Sequence, residues 1–591
     1  MGWCLSPQVH LRRPPAKSSQ YRLDHPALHT KLALEELHEN IRVVLHTYHA
    51  EINANQIPSQ QMRPAGEKVN SPDIPELYWC NHEKLCIVDG VLFTDEDFIN
   101  ARAFDFLRPD HPKNPKANRE KDCRMAWHDP AVGVEGPVVQ DLIAHFVQCW
   151  NFENGLNHDS ALLLSHDHLL SKEQGHNFGG RSQSEVNIQV LRSRSHWNNG
   201  TPTEHSILSA CLDIINNSQH FLYFEQQYFI TATSADQYPV LNRIGKAIVE
   251  RILRAARAEQ KFKVIVNMPA VPAFSGDVQY DSSPGTLAIM GLQYNSICRG
   301  SHSIMGRIIE AGFDPSNYIS FYNLRTYDII DSRPPKDCVL IDSDKFLIPE
   351  DLGREEDMDN FVSEEVYVHS KLLIADDRVV VIGSANLGDR SMLGDRDSEL
   401  GIVIEDLVMM DSLMNGVPFR VSRFAATMRR NLFLKHLGRA PAQIFTAPDH
   451  NFLLGDGRDS RHDWGSDLNH LVEDPLSSAF EKLWTDTARI NTEVFERVFR
   501  PLPSNAVRNW EDYHKYHGQF FDRKEGSKED PKYRYGHVFK ENFGGGVKEV
   551  KQELEKIRGT LVEMPLHFLF EIDELPREGF RDKIFQAEIY T

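Results

Sequence analysis

The sequence predicts an α/β protein of two related halves sharing one site, the first half incomplete, with a mixed C-terminal extension. Two observations carry this. The pattern H-x-K-x-x-x-x-D occurs twice, in "HEKLCIVDGVLFTDEDF" from His82 and in "HSKLLIADDRVVVIGSAN" from His369. From residue 185 onward, apolar strand runs alternate with helical periods, the pattern of a sheet covered on both faces. With 591 residues there is room for several domains, each with its own core.

Residues 10–27 are rich in Pro, Ser and His, and 1–27 are expected to be disordered. The first six residues also match the loose myristoylation pattern M-G-x-x-x-[ST]. Between 28 and 41 Leu28, Leu32, Ala33, Leu37 and Ile41 recur at a helical period. His29, Lys31 and Glu36 on that helix imitate the motif, but packing explains their spacing. "IRVVLHTY" then reads as a buried strand, and 28–184 is taken as the first half.

The second half, 185–445, opens with strand "VNIQVLRS", a helix at 203–217 and strand "HFLYFEQQYFI". A helix at 240–258, strand "FKVIVNMPA", helix "SIMGRIIEAG" and strand "YISFYNL" follow. The acidic stretch 331–365 is predicted to be a surface insertion. "EEVYVHSKLLIADD" and "RVVVIGSAN" form a hairpin turning at Asp376, Asp377 and Arg378. A helix near Arg420 carries Arg423, Arg429, Arg430 and Lys435, which could face acidic headgroups. In the extension, 446–591, "SAFEKLWTDTARINTEVFERVF" is helical, 515–546 is a polar linker, and no catalytic pattern stands out.

Composition narrows the function. A formal net charge of −20 gives no general attraction to nucleic acid, and no nucleic-acid partner is expected. Eight cysteines without a C-x-x-C pair signal neither zinc nor a disulfide framework. The scattered cysteines fit a reducing, cytoplasmic compartment, and no apolar run is long enough to span a bilayer, so a soluble protein or one peripheral to membranes is expected.

The doubled motif carries the chemistry. On a strand, residues i and i+2 share a face, so His369 and Lys371 converge while Leu372 to Ala375 fill the core. Ser384 and Asn386 lie on the returning strand or just past it, where their side chains can donate to an anionic oxygen. Such a site suits phosphoryl transfer through a covalent histidine: one neutral imidazole attacks phosphorus, a protonated one donates its proton to the leaving oxygen, and water completes the cycle. Lys84 and Lys371 would neutralise the phosphate, so neither metal nor other cofactor is required. Each imidazole needs an orienting carboxylate, and Glu399 in "DRDSEL" is the candidate for one.

With these residues in place, the chain resembles the phospholipase D superfamily, and in particular the eukaryotic phosphatidylcholine-hydrolysing phospholipases D. "RMAWHDPAVGVEGPVVQDLIAHFVQCWNF", "HFLYFEQQYFI", "MPAVPAFSGDV" and "VHSKLLIADDRVVVIGSANLGDRSMLGDRDSEL" carry the likeness. It implies two α/β halves with one active site, His82 as nucleophile and His369 as acid, supported by Lys84 and Lys371. It also implies phosphate-binding or orienting roles for Ser384, Asn386, Glu399, Glu225 and Gln227, with Gln226 departing from the family's Glu-Asn-Gln strand. Asp89 and Asp376 close the two motifs and are counted with the site, more as structural than as chemical groups.

The implied activity is hydrolysis of phosphatidylcholine to phosphatidate and choline, with transfer to primary alcohols. The partners are then a phospholipid membrane surface and phosphatidylcholine, with a phosphoinositide as candidate activator. One departure matters: the family's Gly-Gly-x-Asp turn and later Arg-x-Asp are missing after the first motif, where "VLF" runs into "TDEDF". Asp105 has a plausible spacing for the second carboxylate but belongs by its neighbours to a later segment. The alternatives are a catalytically impaired chain that binds lipid or partners and, less favoured, a superfamily nuclease.

Overall fold

A computed structural model describes residues 2–5, 79–88, 91–93, 125–156, 186–272, 284–329, 357–439, 465–522, 531–572 and 575. The expected helix at 28–41, the strand "IRVVLHTY", Asp89 and Asp105 lie outside these residues.

Both motifs open a hairpin. Strand β2 (Leu85–Val88) pairs antiparallel with β3 (Val91–Phe93), and β1 (Gly2–Leu5) adds to the other edge of β2. The expectation of disorder throughout 1–27 is therefore corrected at residues 2–5: the open edge of β2 offers backbone donors and acceptors that another strand can pair.

The remaining strands are β4 (Ala126–His128), β5 (Val186–Arg194), β6 (Glu204–His205), β7 (Phe221–Gln226), β8 (Lys263–Asn267), β9 (Ile319–Ile329), β10 (Phe361–Val368), β11 (Lys371–Ala375), β12 (Val379–Gly383), β13 (Glu399–Asp406), β14 (Met409–Met414), β15 (Val417–Ser422) and β16 (Leu561–Glu563). Except for β14 and β15, which pair with each other, they form a mixed sheet of order β4-β10-β9-β8-β7-β11-β12-β13-β5-β6, with β16 beside β9. So the C-terminal extension contributes a strand to the main sheet. The predicted insertion is shorter than expected, since 361–365 belong to β10.

Every residue of β7 is buried, because alternate side chains enter opposite layers. Phe221 and Tyr223 pack in the layer with helix α1 (Val138–Leu156), while Leu222 and Phe224 join the layer of α2 (Ser206–Asn217) and α3 (Ile244–Arg257). This puts Glu225 and Gln226 on opposite faces of the sheet. The turn between β11 and β12 forms as predicted, with Asp376 and Asp377 both at φ 52°, a left-handed conformation that Asp tolerates better than most residues.

Helix α4 (Arg423–His436) corrects the headgroup expectation. Arg429 and Arg430 are fully buried. Arg429 grips Asp377 through two bonds of 2.6 and 2.7 Å, and Arg430 bonds Asn469 and Ser412. Two of the four cations therefore brace the β11–β12 turn and the region around α5 (Asp467–Val472), out of reach of any membrane.

Candidate active site

The two motifs meet. One cleft is lined by Lys84 from the first and by His369, Lys371 and Ser384 from the second, together with Asp129. Within each motif the geometry repeats: Lys84 Nζ donates to the His82 carbonyl at 2.8 Å, and Lys371 Nζ donates to the His369 carbonyl. That repetition follows from the H-x-K spacing, because a lysine two residues on can fold back over its own histidine.

His82 reaches the site on a short extended segment. Its amide donates to the Ser398 carbonyl at 2.9 Å, and its Nδ1 lies 3.0 Å from Glu399 and 3.1 Å from the Ser384 carbonyl. Both neighbours accept, so Nδ1 carries the proton and Nε2 keeps its lone pair. Burial, with Lys84 and Lys371 adding to it, holds the His82 pKa well below the usual histidine value. A bare, neutral Nε2 beside two lysines is a nucleophile ready for an anionic phosphate.

Glu399 collects donors from His82, from Ser384 Oγ at 2.6 Å and from Ser391. Ser384 is placed as an orienting group: its hydroxyl serves Glu399, because the turn after β12 brings it against the buried start of β13. Asn386 has a buried Oδ1 without a hydrogen-bond partner among the described residues.

His369 is oriented by a residue the sequence reading missed. Its Nδ1 lies 2.5 Å from Asp129 Oδ2. Strand β4 pairs parallel with β10, and the His128 carbonyl accepts the His369 amide at 2.9 Å, which sets Asp129 beside the imidazole. The missing Arg-x-Asp is thus no gap in the site, since "WHDP" supplies the second carboxylate. The signal was a His-Asp pair ending an apolar strand in the first half, in a stretch already recognised as similar to the family. Burial, with Lys371 adding to it and Asp129 opposing, brings His369 down to about 4.

Gln227 fits its orienting role: Oε1 accepts from Lys371 at 3.0 Å and Nε2 donates to the Tyr367 hydroxyl at 2.9 Å. Gln226 Oε1 accepts from the Leu387 amide at 3.1 Å, bracing the turn just past Asn386 from the other face. Glu225 is likewise placed as an orienting group, buried and accepting from His128 (2.9 Å), His436 (3.0 Å) and the Tyr223 hydroxyl (2.6 Å). It anchors β4 from below. Asp376 has the structural character expected of it: it accepts the amides of Gln219, His220 and Phe221 at the far end of β11, one strand length from Lys371, and so pins the hairpin. Asp89 lies outside the described residues.

Two side-chain clusters among the described residues have metal-ligand chemistry, Glu83–His145–Cys149 and His128–Glu225–His436. Neither fits an ion well. Arg194 Nη1 donates to His145 Nδ1 at 3.1 Å, so the ring proton sits on Nε2 and points at Glu83 across 2.6 Å, where a metal would have to bind. In the other cluster a metal on both Nε2 atoms would move the protons to Nδ1, and neither Nδ1 has a partner among the described residues. Each stranded donor would cost ~1–3 kcal/mol, whereas hydrogen bonds to Glu225 leave only bare acceptors.

The comparisons accord with this geometry. The family model described as phospholipase D matches residues 105–451, more than half of the chain, including the second motif and Asp129 and beginning after His82. The chain belongs to the phospholipase D family. It is similar to phospholipase D2 of Bos taurus, at 32% identity over 100% of this chain and 61% of that one. It is also similar to phospholipase D1 of Homo sapiens, at 34% identity over 84% of this chain and 40% of that one. The chain therefore spans less than two thirds of the length of these relatives. A solved phosphatidylserine synthase of Haemophilus influenzae aligns at 13% identity over 55% of this chain and 58% of that one, with a TM-score of 0.29, too distant to weigh on the fold.

Proposed function

We propose that this chain is a phospholipase D that hydrolyses phosphatidylcholine to phosphatidate and choline. The carrying observation is that each histidine of the doubled motif is held by its own carboxylate, His82 by Glu399 and His369 by Asp129, beside lysines from both motifs. In the proposed cycle the substrate phosphate sits between Lys84 and Lys371. His82 Nε2 attacks phosphorus, the P–O bond to choline breaks, and His369 gives its Nε2 proton to the leaving oxygen. Water, or a primary alcohol, then gives its proton to His369 Nε2 as its oxygen displaces His82 from phosphorus. No metal enters any step. The bound phosphate anion favours the protonated form of His369, which the two lysines alone disfavour.

The substrate and the membrane surface as the place of action are carried over from the resemblance; the relatives' names support the phospholipase D class alone. No helix among the described residues is long and apolar enough to cross a membrane. Incubation with labelled phosphatidylcholine and ethanol should give phosphatidylethanol, abolished by His369→Asn. No product from the wild type, with lipid still bound, would favour a binding protein instead. Equal product from His369→Asn would refute the assignment.

A further inference from the structure

The first motif is held by a device in the second half that none of the expected site roles includes. The segment 79–83 lies alongside Ser398: Asn81 and Ser398 form a parallel bridge, and the Ser398 amide donates to the Cys80 carbonyl at 2.9 Å. One residue earlier, Asp397 Oδ1 accepts the Cys80 amide at 2.9 Å. Asp397 is itself fixed by Arg390, whose Nε and Nη2 donate to its two oxygens at 2.7 and 2.8 Å, while the Asp397 amide donates to the Arg390 carbonyl. The guanidinium groups of Arg390 and Arg396 face the buried Trp79 ring at 5.3 and 5.4 Å from its centroid.

This clamp is contiguous with the carboxylate that orients His82. Ser391, next to Arg390, donates to Glu399, and Glu399 is two residues past Asp397. One turn of "GDRSMLGDRDSEL" therefore sets both the backbone that delivers His82 and the group that fixes its tautomer. A planar, bidentate Arg–carboxylate pair fixes orientation as well as distance. It can do so without the Gly-Gly-x-Asp turn that this chain lacks.

We infer that Arg390 and Asp397 are positioning residues for His82, clamping the segment that carries it onto the second half. The inference rests on the phospholipase reading for its kinetic consequences, but not for its structural one.

The test uses the full chain with Arg390→Ala and Asp397→Asn, the second keeping side-chain volume should the first fold poorly. Carbethoxylation by diethyl pyrocarbonate, read by peptide mass spectrometry, should rise ~10-fold at His82 in both variants as the segment opens locally, with His369 unchanged. On phosphatidylcholine, kcat should fall about 100-fold with KM within about threefold, the cost of misplacing a reacting group by an ångström. Added guanidinium ion should restore part of the Arg390→Ala loss, and Arg390→Lys should fall between. Unchanged His82 labelling in both variants, or an equal rise at His369, overturns the inference. A wild type inert toward phosphatidylcholine whose His82 still opens in the variants supports the clamp while removing the phospholipase reading.

Discussion

Replacing Asp129 with Asn removes the charge that holds His369 while keeping nearly the same shape. The two groups are 2.5 Å apart and each side chain is 13% exposed, so the pair is only slightly screened. A hydrogen bond to a charged group in such a setting contributes ~1.5–3 kcal/mol. At about 1.4 kcal/mol per decade, that loss slows the proton transfer by about 10- to 150-fold. Because Asp129 lies outside the path of attack on phosphorus, the loss should appear in kcat, with KM within about threefold. The amide also cannot support the imidazolium, so the fall in rate with rising pH that is assigned to His369 should move to lower pH. Steady-state release of choline from phosphatidylcholine at several pH values measures both effects. A kcat within about threefold of wild type would refute the orienting role.

Other outcomes follow from the same geometry. His369 titrates at about 4 in the free protein and must be protonated to act, so kcat/KM should fall as pH rises from 5 to 7, while kcat, read with phosphate bound, should hold to higher pH; a flat kcat/KM profile would count against this. His436, buried and held near 4 by desolvation despite Glu225, has a folded pKa below its unfolded value, so the unfolded chain binds the extra proton. Stability should then be lost as pH falls from about 6.5 toward 4, by about 3 kcal/mol, and His436→Gln should flatten the dependence of melting temperature on pH over that window; an unchanged dependence removes the claim. Arg429→Met strands a buried Asp377 and should cost ~3–5 kcal/mol in urea unfolding at pH 7, and a loss below about 1 kcal/mol would mean the pair is not load-carrying for the β11–β12 turn.

Much of the second half was legible because its strands are long, apolar and buried on both faces, so period and length decide them. The β11–β12 turn was legible from Asp376 and Asp377 alone. His82, Lys84, His369 and Lys371 were legible because a short motif at strand spacing fixes its own local geometry. Long-range pairings were less legible. Nothing local to "WHDP" says that β4 lies parallel to β10, so Asp129 could not be matched to His369, some 240 residues away. Likewise Glu225 and Ser384 have the right residue types for a phosphate site, but partners brought in by the fold, His436 for one and Glu399 for the other, claim them first. The charge pattern of α4 misled for the same reason: Arg429 and Arg430 look like a solvated face until Asp377, Asn469 and Ser412 are placed beside them.

The central claim is that His82 and His369 form one site in which His82 is the nucleophile. Rapid quench of His369→Ala with a short-chain phosphatidyl-p-nitrophenol, whose leaving group departs without the proton that His369 supplies, followed by peptide mass spectrometry under alkaline conditions, tests it directly. The phosphatidyl adduct should be found on His82 and be absent from His82→Ala. An adduct on another residue, or none in a folded protein that binds the lipid, would contradict it.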